Sequence, residues 1–349
     1  MAQDLALCPL SPCTLLQYVD DLLLCSPSED LSKQHTVTLL NFLASKRYQA
    51  SQSKAQLTQS SVTYLGLQIT PTTKALTTNR CQLLRSIQPP TNRDQILSFP
   101  GMAGFFHHWV SNYASLARPL YTAEKETPKG PLSSQNEVTR AFLTLQSALT
   151  SAAPLSLPNP NYPYHLYTDE KGEIAFGALV QPVGSELLPV AFISKQLDPT
   201  ARGWFPCLGA LAAAAAVYMD AKKLLQNQPL TIFSPHRLSD LLASRFLSDL
   251  SDSRLQQFHL IFLDNPQVTM GHSSQLNPLS VLPSLPISSR VPAHQCTEIL
   301  DSLTQPPPNL FAEPLPDPDI TMFVPREFQK GPRWAPGSGL RCSHPTESP

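Results

Sequence analysis

Two aspartates set side by side within an apolar run are the residues of this sequence most suited to chemistry. Tyr18-Val19-Asp20-Asp21 stands between Leu15-Leu16 and Leu22-Leu23-Leu24. Two apolar runs around a short polar break read as the strands of a β-hairpin, with the carboxylates near its tip. Two readings of that tip stand. Aspartate is common in turns, where its side chain bonds nearby backbone. Adjacent carboxylates between apolar strands are also costly unless a cation neutralises them. Hard divalent cations take oxygen ligands, so on the second reading the hairpin is a rigid mount for a metal.

Other elements must hold that hairpin in place. Ser28 opens a helical stretch with Leu39, Leu40, Phe42 and Leu43 on an apolar face near Tyr48. Residues 62–70, VTYLGLQIT, are rich in strand formers around Gly66. A glycine inside a strand marks a bulge or a close backbone approach. Thr91 is placed to cap a helix that Pro100-Gly101 then interrupts. Val138, Phe142, Leu145 and Leu149 recur at helical spacing. From residue 162 the pattern turns to strand, turn, strand, then an alanine-rich helix over 208–225 and a strand over 230–234. That order suggests an α/β layer. From residue 276 onward, 15 of 74 positions are proline and almost no periodic apolar pattern remains, so the segment reads as a linker and disordered tail.

Composition narrows the function classes. The 349 residues leave room for two or three domains. A 42% hydrophobic content supports packed cores and excludes wholesale disorder. The 36 prolines shorten helices and multiply boundaries. A net charge of −1 argues against a highly basic nucleic-acid coat. The longest apolar run, 210–219, is too short to span a bilayer, and no basic region opens a signal peptide. Seven cysteines without a CxxC pair give no expectation of a disulfide framework or a zinc site. An intracellular, cytoplasmic setting is the expectation. His107 and His108 read as exposed residues on different sides of a helix, and Phe105, Phe106 and Trp109 as helix core. Arg202, Lys222 and Lys223 read as solvated, and Cys207 as a small buried hydrophobe.

LLQYVDDLLL resembles the catalytic palm hairpin of retroviral reverse transcriptases. The likeness continues in order through SQSKAQLTQSSVTYLGLQIT, ILSFPGMAGFFHHWVSNYASLARPLY, YPYHLYTDEKGEIAFGALV and PVAFISKQLDPTARGWFPCLGALAAAAAV. It is similar to gammaretrovirus-type Pol polyproteins and their endogenous relatives, over roughly residues 12–324. The resemblance implies a multi-subdomain α+β and α/β fold. A partial polymerase palm with the YVDD hairpin would occupy 1–75, a helical thumb 76–135, and an RNase H-like connection subdomain 136–275. A proline-rich linker and disordered tail would fill 276–349.

The same resemblance assigns roles. Asp20 and Asp21 match the paired catalytic carboxylates that hold Mg²⁺ for two-metal nucleotidyl transfer. Tyr18 and Val19 match residues beside the primer terminus. Lys54 resembles the palm lysine near the incoming dNTP, and Tyr64, Leu65 and Gly66 lie in the region resembling the primer grip. The implied partners are an RNA–DNA or DNA duplex, dNTP and another Pol-like chain, with no membrane.

The chain also departs from the family pattern. The family needs a third palm aspartate upstream, whereas Asp4 is the sole acid before Tyr18 and lacks the matching context. The fingers are missing. Pro100 stands where the thumb commonly has leucine. In the connection, Tyr167-Thr168-Asp169 looks like an RNase H metal site. However, the glutamate position falls near Gly209, and 233–236 reads Phe-Ser-Pro-His, so Asp169 is read as a turn residue. The strand 319–324 runs into Pro325-Arg326-Glu327 where the RNase H domain has Asp-Gly-Ser. The expectation is a fragment of an RNA-directed DNA polymerase, inactive by itself. The alternatives are a non-catalytic nucleic-acid- or protein-binding remnant, or a degenerate product without a selected role.

Overall fold

The structure is a computed structural model that describes residues 2–126, 135–273 and 295–304. Its first unit is built on the expected hairpin. α1 (Ala2–Leu5) precedes β1 (Thr14–Tyr18) and β2 (Asp21–Cys25), which pair antiparallel. α2 (Glu29–Ser45) follows, and the Ser28 side chain accepts from the Leu31 N–H at its start. Opposed residues of an antiparallel pair share a face. Leu15, Leu22 and Leu24 therefore meet Leu39 and Leu43 of α2, together with Leu5 and Leu10.

The second unit is a four-stranded antiparallel sheet of β3 (Val62–Tyr64), β4 (Leu67–Ile69), β5 (Thr73–Leu76) and β6 (Leu155–Ser156). A helical body enters between β5 and β6. It comprises α3 (Thr78–Ser86), α4 (Arg93–Ile96), α5 (Ser98–Ala103), a 3₁₀ turn (Gly104–Trp109), α6 (Tyr113–Glu126) and α7 (Gln135–Thr150). Val138, Phe142, Leu145 and Leu149 bury the predicted face of α7 against Ile96, Phe99, Phe106 and Leu120. Two expectations are corrected here. The α4 cap is Asn92, whose side chain accepts from the Gln95 N–H, while Thr91 donates to the Gln95 side chain. Pro100 breaks nothing, because it is the third residue of α5, where a backbone N–H has no intrahelical acceptor. Its carbonyl accepts from the Tyr113 hydroxyl at 2.8 Å.

The third unit is a five-stranded sheet in the order β11-β10-β7-β8-β9. β7 (Tyr164–Lys171), β8 (Ile174–Val183) and β9 (Glu186–Gln196) form an antiparallel meander. β10 (Leu230–Ser234) lies parallel to both β7 and β11 (Val268–His272). α8 (Pro199–Arg202) leads into α9 (Pro206–Leu225), whose alanine-rich surface covers one face of the sheet. α10 (Leu238–Leu242), α11 (Asp252–Phe262) and α12 (Cys296–Thr304) complete that layer. Tyr167, Phe176, Ala178 and Val180 pack on the opposite face with Ala114 and Phe192.

α12 corrects the reading of 276–349 as linker and tail. Cys296 and Leu300, four residues apart on one helical face, are buried in the connection core. The remainder of that segment, including 319–324 and the tail, lies outside the described residues. Among the described residues no helix is long and apolar enough to cross a membrane.

Candidate functional site

The register Tyr18↔Asp21 makes Val19-Asp20 a two-residue turn. Val19 takes φ 51°, a left-handed conformation that disfavours a β-branched residue. The Gln17 side-chain amide donates to the Val19 carbonyl at 2.9 Å and braces the turn. Asp20 and Asp21 are both exposed. Asp21 shares its face with Tyr18, Leu16 and Leu23, away from α2. That face is open, with Leu16 47%, Tyr18 60% and Val19 70% exposed. The strands beside the carboxylates are therefore half-buried, with apolar cover on one side.

Asp4 offers no third metal ligand. Its carboxylate accepts from the Tyr48 hydroxyl at 2.9 Å and faces Lys46 Nζ at 3.7 Å. The Tyr48 hydrogen bond holds the Asp4 carboxyl below the usual carboxylate range. Lys54 ends a 3₁₀ turn, Gln52–Lys54, and is exposed. Gln56, just beyond it, exchanges two hydrogen bonds with the Thr63 backbone and ties that turn to β3. Tyr64 pairs with Leu67, so Leu65-Gly66 is also a two-residue turn, with φ 51° and 76°. Glycine suits Gly66 chiefly by its backbone, and Arg80 would also have to shift for any Cβ. Its φ suits glycine, and a Cβ would lie 2.6 Å from the Arg80 guanidinium, which stacks over Phe106 at 5.1 Å. The structure thus places the YVDD pair and the Tyr64–Gly66 turn on separate sheets.

The aromatic stretch of the thumb is partly as read. Phe106 and Trp109 are core, whereas Phe105 is exposed. The histidines do not diverge: their ring centroids lie 3.9 Å apart, and His108 Nδ1–H donates to the Phe192 carbonyl at 3.2 Å. Arg202 is engaged rather than solvated, donating to the Leu197 carbonyl at 2.7 Å. A groove of about 1050 Å³ between α7 and β9 is lined by Trp109, Asn112, Arg140, Thr144, Pro189 and Phe192, among others. Arg140 is its one charged residue, so the groove has no acid–base pair for catalysis.

Asp169 is a strand residue of β7 opposite Phe176, which corrects its reading as a turn residue. Burial raises its carboxyl above the ordinary range, against the Glu170 N–H that bonds it at 2.8 Å. Glu170 lies over Gly209, its carboxylate 3.7 Å from where a Cβ would sit.

Known proteins match this arrangement. A family model described as reverse transcriptase (RNA-dependent DNA polymerase) matches residues 1–69. A second, described as an RNase H-like domain found in reverse transcriptase, matches residues 135–232. The Gag-Pol polyprotein of baboon endogenous virus (strain M7) is 40% identical over 311 residues, 89% of this chain. The chain belongs to the retroviral reverse-transcriptase family. The Pol polyprotein of feline endogenous virus ECE1 is 39% identical over the same share. The chain spans 18% and 29% of these two curated relatives. The fold matches a foamy viral protease–reverse transcriptase solved with double-stranded DNA, at TM-score 0.70 and 21% identity over 79% of this chain and 48% of that one. The same viral protein with an RNA/DNA hybrid matches at TM-score 0.69 and 22% identity, over 81% and 38%.

Reverse transcriptases and RNase H-like domains are divalent-metal-dependent families. The exposed Asp20 and Asp21 oxygens are hard donors of the kind such an ion takes, and Asp4 does not add to them. Sequence reasoning missed a different group. Cys207, His236 and Cys296, all buried, bring their ligand atoms within 4.8 Å of one another, the one such His, Cys, Asp or Glu group of three or more among the described residues. The Cys207 thiol donates to Cys296 and, with His236 at 3.7 Å, holds the Cys296 thiol well below its ordinary range. Spacings of 29 and 60 residues resemble no short metal motif, so spacing alone could not reveal the group. The i, i+4 pair Cys296 and Leu300 was the available signal that this segment folds.

Proposed function

We propose that this chain is the catalytic-hairpin, thumb and connection portion of a gammaretrovirus-type reverse transcriptase, and that alone it does not polymerise. The observation that carries this is the exposed Tyr18–Asp21 hairpin, whose two carboxylates gather no third among the described residues. Asp20 and Asp21 would hold Mg²⁺, which supplies charge for activating a primer hydroxyl and neutralising the triphosphate. The rest of the assignment follows the protein side. Tyr18 and Val19 offer an exposed surface for a primer terminus, Lys54 an exposed cation for a dNTP, and Tyr64–Gly66 a rigid turn for the primer strand. Positioning of reactants is worth roughly 7–11 kcal/mol of barrier, and two carboxylates on an open hairpin supply little of it.

An RNA–DNA or DNA duplex is the proposed partner, held through thumb and connection by phosphate contacts. With a net charge of −1, that binding is weak and falls steeply with salt. The open face of Leu16, Leu23 and Tyr18 favours a second reading, in which another Pol-like chain covers the hairpin.

Primer extension on an RNA template with Mg²⁺ or Mn²⁺ tests the proposal. The expected result is no incorporation above background by the chain alone. Template-dependent incorporation that disappears in the Asp20→Asn, Asp21→Asn double variant would overturn it.

A further inference from the structure

The connection subdomain gathers two thiols and an imidazole from three separate elements. Cys207 lies in the first turn of α9, His236 just after β10, and Cys296 begins α12. All three are buried, between 2% and 5% exposed, in an interior where unpaired polar groups are costly. Neither Cys207 nor Cys296 is in a disulfide. We propose that Cys207 Sγ, His236 Nδ1 and Cys296 Sγ form a zinc site, with water in the fourth position.

The geometry suits that ion. Zn–S bonds of about 2.3 Å and Zn–N bonds of about 2.0–2.1 Å set tetrahedral ligand atoms roughly 3.5–3.8 Å apart. Cys296 Sγ stands 3.7 Å from His236 Nδ1, and all three atoms lie within 4.8 Å of one another. The Cys296–His236 separation is already of that size, and a contraction of at most about 1 Å brings Cys207 into the set. Thiolate and imidazole donors select zinc over magnesium or calcium, so this site is chemically separate from the Asp20–Asp21 oxygens. The backbone supports the imidazole: the His236 N–H donates to Ser234 Oγ at 3.1 Å, fixing the turn after β10. The ion would pin α12 to the start of α9 and the end of β10.

Cobalt substitution tests the site on the full chain, purified under reducing conditions and stripped of metal. Titration with Co²⁺ is expected to give one equivalent of tetrahedral complex. It should show a thiolate-to-cobalt charge-transfer band and strong visible d–d bands, and Zn²⁺ should displace it. Replacing Cys8, Cys13, Cys25, Cys81 and Cys342 together by serine should leave the spectrum intact. Cys207→Ala and Cys296→Ala should each weaken binding by more than the roughly 10–100-fold typical of losing an outer partner. Cys296→His guards against misfolding, because it exchanges one ligand for another: tetrahedral d–d bands should persist with reduced charge transfer. A pale octahedral spectrum in the wild-type chain would overturn the site. So would charge transfer that survives in both alanine variants, or a Cys207–Cys296 disulfide in reduced, zinc-supplied protein.

Discussion

Val19 pays for its place at the hairpin tip in backbone strain. A β-branched residue at φ 51° costs about 1–3 kcal/mol, against about 0.5–1 kcal/mol for the extra freedom glycine has when unfolded. Val19→Gly should therefore stabilise the hairpin by on the order of 1 kcal/mol, read as slower hydrogen exchange of the 14–25 amides. Unchanged or faster exchange would refute the strain. His108 gives a pH signature. Burial, with His107 beside it, depresses its imidazole from 6.5 to about 4 in the folded chain. Between those values the unfolded chain binds the extra proton, so stability falls as the pH drops through the window and levels off below it. His108→Asn removes the titration and keeps a donor for the Phe192 carbonyl. Urea midpoints should show the wild type losing on the order of 1–3 kcal/mol more than the variant across that window, after discounting for partial exposure. Parallel pH profiles would sink the assignment.

The strands and helices that sequence patterns reveal most clearly are those whose signals are local. The YVDD hairpin declares itself by two apolar runs around a polar break, and α7 by a 3.6-residue stripe. β6, only Leu155–Ser156, has no pattern of its own; it is a strand because β5 offers it partners. His107-His108 misled because tertiary packing, not helical period, sets these rings: β9 supplies a carbonyl to His108 from 84 residues away. The Cys207, His236 and Cys296 group is illegible for the same reason: its members meet only after α9, β10 and α12 have packed. The sheet–helix layer has a sharper sequence logic at Gly177. A Cβ there would sit 2.2 Å from Val217 Cγ1, so glycine in β8 lets α9 approach. Gly177→Ala should cost about 1–3 kcal/mol by overpacking. Adding Val217→Ala should recover part of that loss in a double-mutant cycle of urea unfolding. Strict additivity would show that the two residues do not compete for one space.

Unequal cores divide the molecule. The hairpin unit closes over four buried side chains, Leu5, Leu10, Leu39 and Leu43, whereas α9 lies along an extensive core shared with β7, β8 and β10. Small cores are marginal, and local opening follows the weaker unit. Native-state exchange should accordingly show the β1–β2 amides opening at lower free energy than those of β7–β9. Equal protection would mean that the whole chain unfolds as one. The helical body between β5 and β6 has a different relation to its surroundings. It leaves the sheet after Leu76 and returns at Leu155, and those strands are hydrogen-bonded neighbours. A body tethered by one strand can swivel about it. Tethered by two adjacent strands, and cross-linked to the five-stranded sheet unit through His108–Phe192, Ala114–Ser194 and Arg118–Glu173, it loses that rotation. Chain connectivity and those cross-links together fix how the helical body is seated, from residues as far apart in the sequence as Leu76 and Ser194.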